Sequence, residues 1–216
     1  MDTGVVTSVA QYAESVLGKE RFRYISAVVA NCKMLALELE AGEEEEEKSD
    51  APETIDVEAL IMAAYLHDIS TVAHGFQEHC LKSAAMAVEF LRGLDVPAER
   101  IDTVEQAILA HTTAYASEEQ EIAPVEGRIL YDADKLGRLS GLAVVTSLIE
   151  FGARYPDRAV TGDVLAAILR HVEERFVELY QSLYTAPARE MAQVKFGNTL
   201  AFLDGVIEHL AESTPV

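Results

Sequence analysis

The spacing of the apolar residues is the feature that most constrains the fold of this chain. Apolar side chains recur at intervals of three and four almost throughout the 216 residues, whereas alternating strand patterns flanked by hairpin turns are missing. This periodicity gives each segment one apolar stripe, so we predict an all-α fold, a compact bundle of many helices. Half of the residues are hydrophobic and a quarter are charged, which is the composition of a folded globular chain.

Glycine and proline residues divide the chain into the predicted helices. One helix is expected from a cap at Thr54 or Asp56 to just beyond Asp68. The others are expected at about residues 5–17, 20–40, 77–92, 97–113, 124–139, 141–154, 161–184 and 187–212. Because domains average roughly 150 residues, we expect one domain over residues 1–216, with C-terminal helices from about residue 161.

The charge of the chain is strongly negative and unevenly distributed. The net charge is −20, and residues 38–58 alone contain eleven acidic residues and one basic residue. Like charges in one segment repel each other, so we expect an acidic loop at about residues 42–53. A surface of this charge repels nucleic-acid phosphates and anionic lipids, so neither a nucleic-acid polymer nor a membrane is an expected partner.

The cysteines and the apolar runs indicate a cytoplasmic protein. Cys32 and Cys80 have neither the spacing of a disulfide framework nor that of a zinc site, and Cys80 is expected in the core. The first residues carry no basic leader, and the longest apolar run, 59–66, is far shorter than the roughly 18 residues of a membrane span. The sequence leaves a homodimer open.

The pair His67-Asp68 is the first candidate for chemistry. Both residues follow the apolar face of the helix that begins near Val57. A buried imidazole and a buried carboxylate are costly without partners, and a divalent cation would satisfy both. The alternative is a helix that simply ends in polar residues, with His67 favoured by the helix dipole.

Two later segments carry further candidates. His111 ends an apolar row in its own helix, so it points inward. Asp132 and Asp134 lie at the edges of an otherwise apolar helix, about 200° apart, so one helix cannot direct both at a single ion.

Together, the order His-Asp, then His, then Asp-Ala-Asp-Lys-Leu resembles the HD-domain superfamily of metal-dependent phosphohydrolases. The resemblance covers most of the chain, and the tail also looks like the small bacterial branch of that superfamily. Its motifs are residues 63–69, His79 with Ser83-Ala84, residues 106–111, residues 131–136 and the tail 180–208. The resemblance implies a divalent ion (Mg, Mn, Fe, Ni or Zn) held by His67, Asp68 and Asp134. Asp132 is then an outer residue or a cap.

The chain departs from the family pattern at the first ligand. No histidine precedes His67, and the best alignment places Tyr24 where the first-helix His of the family stands. A neutral phenol is a poor ligand for Mg²⁺, Mn²⁺ or Zn²⁺, so we expect weak metal binding. His111 or His79 is a candidate for an additional ligand.

The resemblance implies a metal-dependent phosphohydrolase that acts on a phosphorylated small molecule such as a nucleotide. Asp68 or a neighbouring carboxylate would orient the attacking water. His111, His79 and a nearby lysine such as Lys135 would steady the charge on the phosphoryl group. Further candidates for a ligand or a substrate contact are His74, His79, Tyr24, Lys82 and Asp132.

Two other functions are weighed against this one. In the first, the scaffold has lost catalysis together with its first His and serves as a ligand- or partner-binding module. In the second, it holds a dinuclear iron pair that carries out oxygenation. The iron pair would need more His and Asp ligands than the sequence offers.

Overall fold

A computed structural model describes residues 3–45, 54–112, 123–139, 141–157 and 162–212 of the chain. Every regular element in these ranges is a helix, so the predicted all-α fold is confirmed. The helices are α1 (Thr3–Glu45), α2 (Val57–Leu66), α3 (Thr71–His74), α4 (His79–Arg92), α5 (Ala98–Ala110), α6 (Val125–Arg138), α7 (Gly141–Arg154), α8 (Gly162–Gln181) and α9 (Ala186–Glu212). From α4 onward the predicted boundaries agree with these to within three residues, whereas the short helix α3 was not predicted.

Helix α1 is longer than the sequence indicated. Gly18, with φ 75° and ψ 163°, interrupts it, so the predicted break at this glycine is confirmed. The helix then continues through Gly42 to Glu45, and the prediction that the acidic loop begins at residue 42 was wrong. Glutamate is a good helix former, and its first copies extend the helix. Residues 46–53 of the predicted loop lie outside the described residues.

The contacts between helices divide the chain into two compact units, Met1–Asp134 and Lys135–Val216, with the boundary inside α6. In the first unit α2 packs against α1, α4 and α5, and α4 packs against α5. In the second unit α7, α8 and α9 pack against one another. The expectation of a single domain over residues 1–216 stays a prediction.

Helix α2 forms the centre of the first unit. The Asp56 side chain caps it by accepting a hydrogen bond from the Ala59 amide at 3.0 Å, one of the two caps the sequence offered. Seven of its ten residues are buried, so α2 is covered on nearly all sides. The helix ends at Leu66, just before the predicted end. It therefore delivers His67 and Asp68 into the interior.

Helices α5 and α6 approach closely at Gly127. A Cβ atom at this position would lie 3.0 Å from the Ala110 Cβ and 3.4 Å from the Ala107 Cα. A side chain at this position would push its neighbours away by a few tenths of an ångström, so the glycine favours an approach that brings the start of α6 against the end of α5, next to His111.

The second unit has its own buried side chains. Leu169, Phe176, Leu179 and Leu203 are among them. The Thr199 hydroxyl donates to the Lys195 carbonyl at 2.9 Å and lies 3.4 Å from the Leu139 carbonyl. Within the described ranges, none of the helices combines the length and apolar character that crossing a membrane requires.

Candidate metal centre

His67 directs a ring nitrogen into a buried space at the end of α2. The side chain is fully buried, and its Nδ1 donates to the Ala64 carbonyl at 2.8 Å. A carbonyl only accepts, so Nδ1 carries the proton and Nε2 of the neutral ring carries the lone pair. This Nε2 is buried and has no hydrogen-bond partner in the described part of the chain.

His79 and His111 are oriented in the same way. The Nδ1 of His79 donates to the Phe76 carbonyl at 2.9 Å, and that of His111 donates to the Ile108 carbonyl at 2.5 Å. In both residues the acceptor lies three positions earlier, as it does for His67. The imidazoles of His67, His79 and His111 therefore present their Nε2 atoms to the same region.

Asp68 lies between these three rings. Its Oδ2 is 3.7 Å from the Nε2 of His67, and its Oδ1 is 3.5 Å from the Nε2 of His79 and 3.8 Å from that of His111. Its Oδ1 is buried and lacks a hydrogen-bond partner among the described residues. We name His67, Asp68, His79 and His111 the His-Asp cluster.

The charge state of the cluster favours a bound cation. Burial raises the pKa of Asp68, but His67 and His111 lower it more, to about 2, so the carboxyl group is ionised. Burial lowers the pKa of His111, although the neighbouring Asp68 acts in the opposite direction. The cluster thus combines an ionised carboxylate with an imidazole, that of His111, whose burial favours the neutral form, and these are the protonation states required of metal ligands.

The side chains present fit a divalent metal ion. Ligand atoms of His67, Asp68 and His111 all lie within 4.8 Å of one another. Two buried polar atoms of this group, His67 Nε2 and Asp68 Oδ1, would otherwise stay without a partner. The Nδ1 hydrogen bonds to backbone carbonyls also match the arrangement that fixes the ring orientation of metal-binding histidines.

Tyr24 and Asp134 are brought together by α1 and α6. The Tyr24 hydroxyl donates to Asp134 Oδ1 at 2.7 Å, and the Asn31 amide donates to the Ala133 carbonyl at 3.2 Å. Asp134 is 1% exposed and raises the pKa of Asp68 by charge repulsion, so the two carboxyl groups are close enough to interact.

From the sequence, Tyr24 was predicted only as a replacement for a ligand, and its hydrogen bond to Asp134 was not predicted. Tyr24, Val28 and Asn31 are spaced by four and three residues, so they share one face of α1. That spacing indicates that Tyr24 lies on the same side of α1 as the buried Val28, but it does not identify Asp134 as the partner of Tyr24.

Asp132 occupies a different environment on α6. It is fully buried, and together with Asp134 it raises the pKa of the Cys32 thiol, an effect that adds to the larger one of burial. Among the groups that shift the pKa of Asp68, Asp134 appears and Asp132 does not. Both aspartates therefore act on Cys32, and of the two Asp134 also acts on Asp68.

The other predicted site residues lie in varied surroundings. His74 is exposed at the end of α3, and its side chain makes no polar contact with a described residue. The Lys82 ammonium donates to the Gln77 carbonyl at 2.9 Å and lies 3.6 Å from a Glu78 carboxylate oxygen. Lys135 is buried and begins the second unit. The roles of these three residues stay predictions.

His79 is held in position by a pair of serines, Ser70 and Ser83, for which the sequence predicted no role. The Ser70 hydroxyl donates to the His79 carbonyl at 3.0 Å, and the Ser83 hydroxyl donates to Ser70 Oγ at 2.9 Å. Ser83 in turn accepts from the Ser70 amide at 3.2 Å. This buried pair joins the segment after Asp68 to the start of α4.

The fold and the cluster define a class of protein: an all-helical protein with a buried His-Asp centre that could hold a metal. Residues 25–139 match the model of the HD-domain family. The match spans more than half of the chain, and the chain belongs to the HD-domain family.

Solved structures with the same fold cover nearly the whole chain. An HD-superfamily hydrolase from Bacillus thuringiensis has a TM-score of 0.69 at 18% identity, over 99% of this chain and 100% of the other. YpgQ from Bacillus subtilis has a TM-score of 0.69 at 18% identity, over 95% of each chain. A Lactobacillus plantarum protein has a TM-score of 0.68 at 15% identity, over 98% of this chain and 99% of the other. No curated protein matches.

Proposed function

We propose that this protein is a metal-dependent phosphohydrolase that acts on a phosphorylated small molecule such as a nucleotide. The observation that carries the proposal is the His-Asp cluster, in which imidazole Nε2 atoms surround the ionised carboxylate of Asp68. Among the described residues, His67 Nε2 and Asp68 Oδ1 have no hydrogen-bond partner. His67, Asp68 and His111 would hold the ion, and Asp134 would complete the set. When bound, a divalent ion supplies Lewis-acid catalysis and makes water a stronger nucleophile near neutral pH.

The protein's own residues would orient the reactants. The ionised Asp68 carboxylate can accept a hydrogen bond from a water molecule and thereby direct a lone pair of the water oxygen at the phosphorus atom. His79 is the most exposed histidine of the cluster, at 19%, and lies 3.5 Å from Asp68, so it is suited to meet a substrate.

The charge of the chain supports a small substrate. A net charge of −20 repels a polyanion over its whole length, whereas a single phosphate group needs only a local favourable site. A nucleotide or another phosphomonoester fits this condition better than a nucleic-acid polymer does.

A second function is favoured by one observation. Tyr24 stands where the family's first His is expected, and its hydroxyl is engaged by Asp134. A centre that lacks one neutral donor binds an ion less strongly, and a scaffold without its ion would serve as a ligand- or partner-binding module.

The test combines metal analysis with a phosphate-release screen. The purified protein would be dialysed, analysed for bound metals, and assayed on nucleotides and other phosphomonoesters with Mg²⁺, Mn²⁺, Ni²⁺, Fe²⁺ or Zn²⁺. Asp68→Asn and His67→Gln should abolish turnover and metal retention, whereas His171→Gln, a change at an exposed histidine, should not. Turnover that survives both cluster variants would exclude the hydrolase and leave the binding module.

A further inference from the structure

Helix α1 carries an arginine without a carboxylate partner beside the His-Asp cluster. The Arg21 guanidinium donates from Nη1 to the Thr71 hydroxyl at 3.3 Å, and the residue is exposed. Within the described ranges, no acidic side chain pairs with it. The side chains of Lys82 and Arg100, by contrast, lie 3.6 Å from Glu78 and 2.7 Å from Asp56.

Arg21 is connected to Asp68 of the cluster through the hydroxyl of Thr71. Thr71 accepts from Arg21 and donates from the same hydroxyl to the Asp68 carbonyl at 2.7 Å. One turn later on α1, Tyr24 donates to Asp134. Residues three apart lie on the same face of a helix, so Arg21 and Tyr24 lie side by side on α1, where Arg21 donates to Thr71 and Tyr24 donates to Asp134.

We propose that Arg21 is a substrate-positioning residue that binds the phosphate oxygens of the substrate at the rim of the His-Asp cluster. The assignment rests on the proposed phosphohydrolase function and names the group that recognises the anion. A guanidinium group has five N–H donors in a planar fork that matches two phosphate oxygens. Thr71 accepts from one Nη and fixes the orientation of the fork, which leaves other donors for a ligand.

Arg21 suits this role better than the lysine nearest to the cluster in sequence. The Lys82 ammonium donates to the Gln77 carbonyl and lies close to Glu78, so its charge is directed to the turn before α4. In a chain with 37 acidic and 17 basic residues, a cation without an acidic partner provides the local attraction that a phosphate needs.

The test is calorimetric titration of the full chain with inorganic phosphate, in a buffer that contains MnCl₂. We expect Arg21→Ala to raise the Kd for phosphate about 10- to 100-fold, because a charge-assisted bidentate contact is lost. Arg21→Lys, which keeps the charge but loses the fork, should lie between this variant and the wild type. The matched control is Arg23→Ala, an exposed arginine on another face of α1, which should stay within about twofold of the wild type.

Thermal melting of each variant separates a loss of contact from a loss of fold. If a phosphomonoester substrate is found, Arg21→Ala should raise KM more than it lowers kcat. Arginine-dependent phosphate binding without any turnover would support the Arg21 site and contradict the hydrolase. Turnover with the same phosphate Kd in Arg21→Ala and Arg23→Ala would overturn the Arg21 site and leave the hydrolase standing. Absence of phosphate binding by the wild type would also overturn the Arg21 site.

Discussion

Replacing Tyr24 by Phe removes a single hydroxyl group from the site and keeps the aromatic ring. That hydroxyl donates to Asp134 Oδ1 at 2.7 Å, and Asp134 is 1% exposed. A hydrogen bond to a charged group contributes about 1.5–3 kcal/mol to stability. Tyr24 is 38% exposed, so water can replace the lost donor in part, and we expect a loss of about 1–2 kcal/mol. At 2–4 °C per kcal/mol for chains of this length, the melting temperature should fall by about 2–8 °C.

The same change should weaken metal binding. Loss of a hydrogen bond that orients a metal ligand typically costs 10- to 100-fold in metal affinity. If Asp134 is a ligand, Tyr24→Phe should therefore raise the Kd for Mn²⁺ or Zn²⁺ by about tenfold or more. The matched control is Tyr65→Phe. The Tyr65 ring stacks on Phe22 at 5.9 Å between centroids, and its hydroxyl has no hydrogen bond to any residue that the structure describes.

Two measurements check this reasoning. Scanning calorimetry in the presence of a chelator gives the change in melting temperature, and competition with a fluorescent chelator gives the metal affinity. A Tyr24→Phe variant that melts and binds metal like Tyr65→Phe would refute the hydrogen bond to Asp134. A lower melting temperature with an unchanged metal affinity would show that Asp134 is not a ligand.

Three further predictions test other parts of the first unit. Asp134→Asn should lower metal affinity by at least about tenfold and Asp132→Asn should have a smaller effect, as measured by equilibrium dialysis. A larger effect of Asp132→Asn would show that Asp132, and not Asp134, is the ligand. Burial, together with the two aspartates, raises the pKa of the Cys32 thiol, so it stays protonated at pH 8 and iodoacetamide should label it only on unfolding, as mass mapping would show. Arg100→Met should cost about 1 kcal/mol in urea denaturation, because Arg100 pairs with both Asp56 and Glu58 but its own side chain is about one-third exposed.

The helices could be predicted because their apolar periodicity is strong and their ends carry explicit signals. Asp56 caps α2, and Gly18 interrupts α1, both as the sequence indicated. Helix α3 was missed because four residues are too few to show a period of 3.6. The end of α1 was placed too early because a run of glutamates has two opposing properties: good helix propensity and mutual repulsion.

The candidate site was only partly accessible to sequence reasoning. The inward direction of His111 followed from its place in an apolar row, and the structure buries it to 2% exposure. The sequence offered His79 as a candidate ligand but could not fix its position beside Asp68, because that position depends on the turn before α4 and on the Ser70–Ser83 pair. Neither could the sequence show that Arg21 reaches Thr71, fifty residues away.

If Tyr24 takes the place of the family's first histidine, as the sequence predicts, the polarity of the contact changes as well as the number of ligands. A histidine would offer a lone pair to an ion, whereas the Tyr24 hydroxyl offers a proton to Asp134. The carboxylate is thereby held in one orientation before any ion arrives, which lowers the entropic cost of binding, while one donor to the ion is lost. The two effects oppose each other, and the lost ligand is the larger, since a ligand bonds to the ion directly and the hydroxyl acts only through Asp134. The centre should therefore bind a divalent ion in a fixed geometry but release it on dialysis. That combination is typical of a centre that takes up its ion from solution and does not retain it permanently.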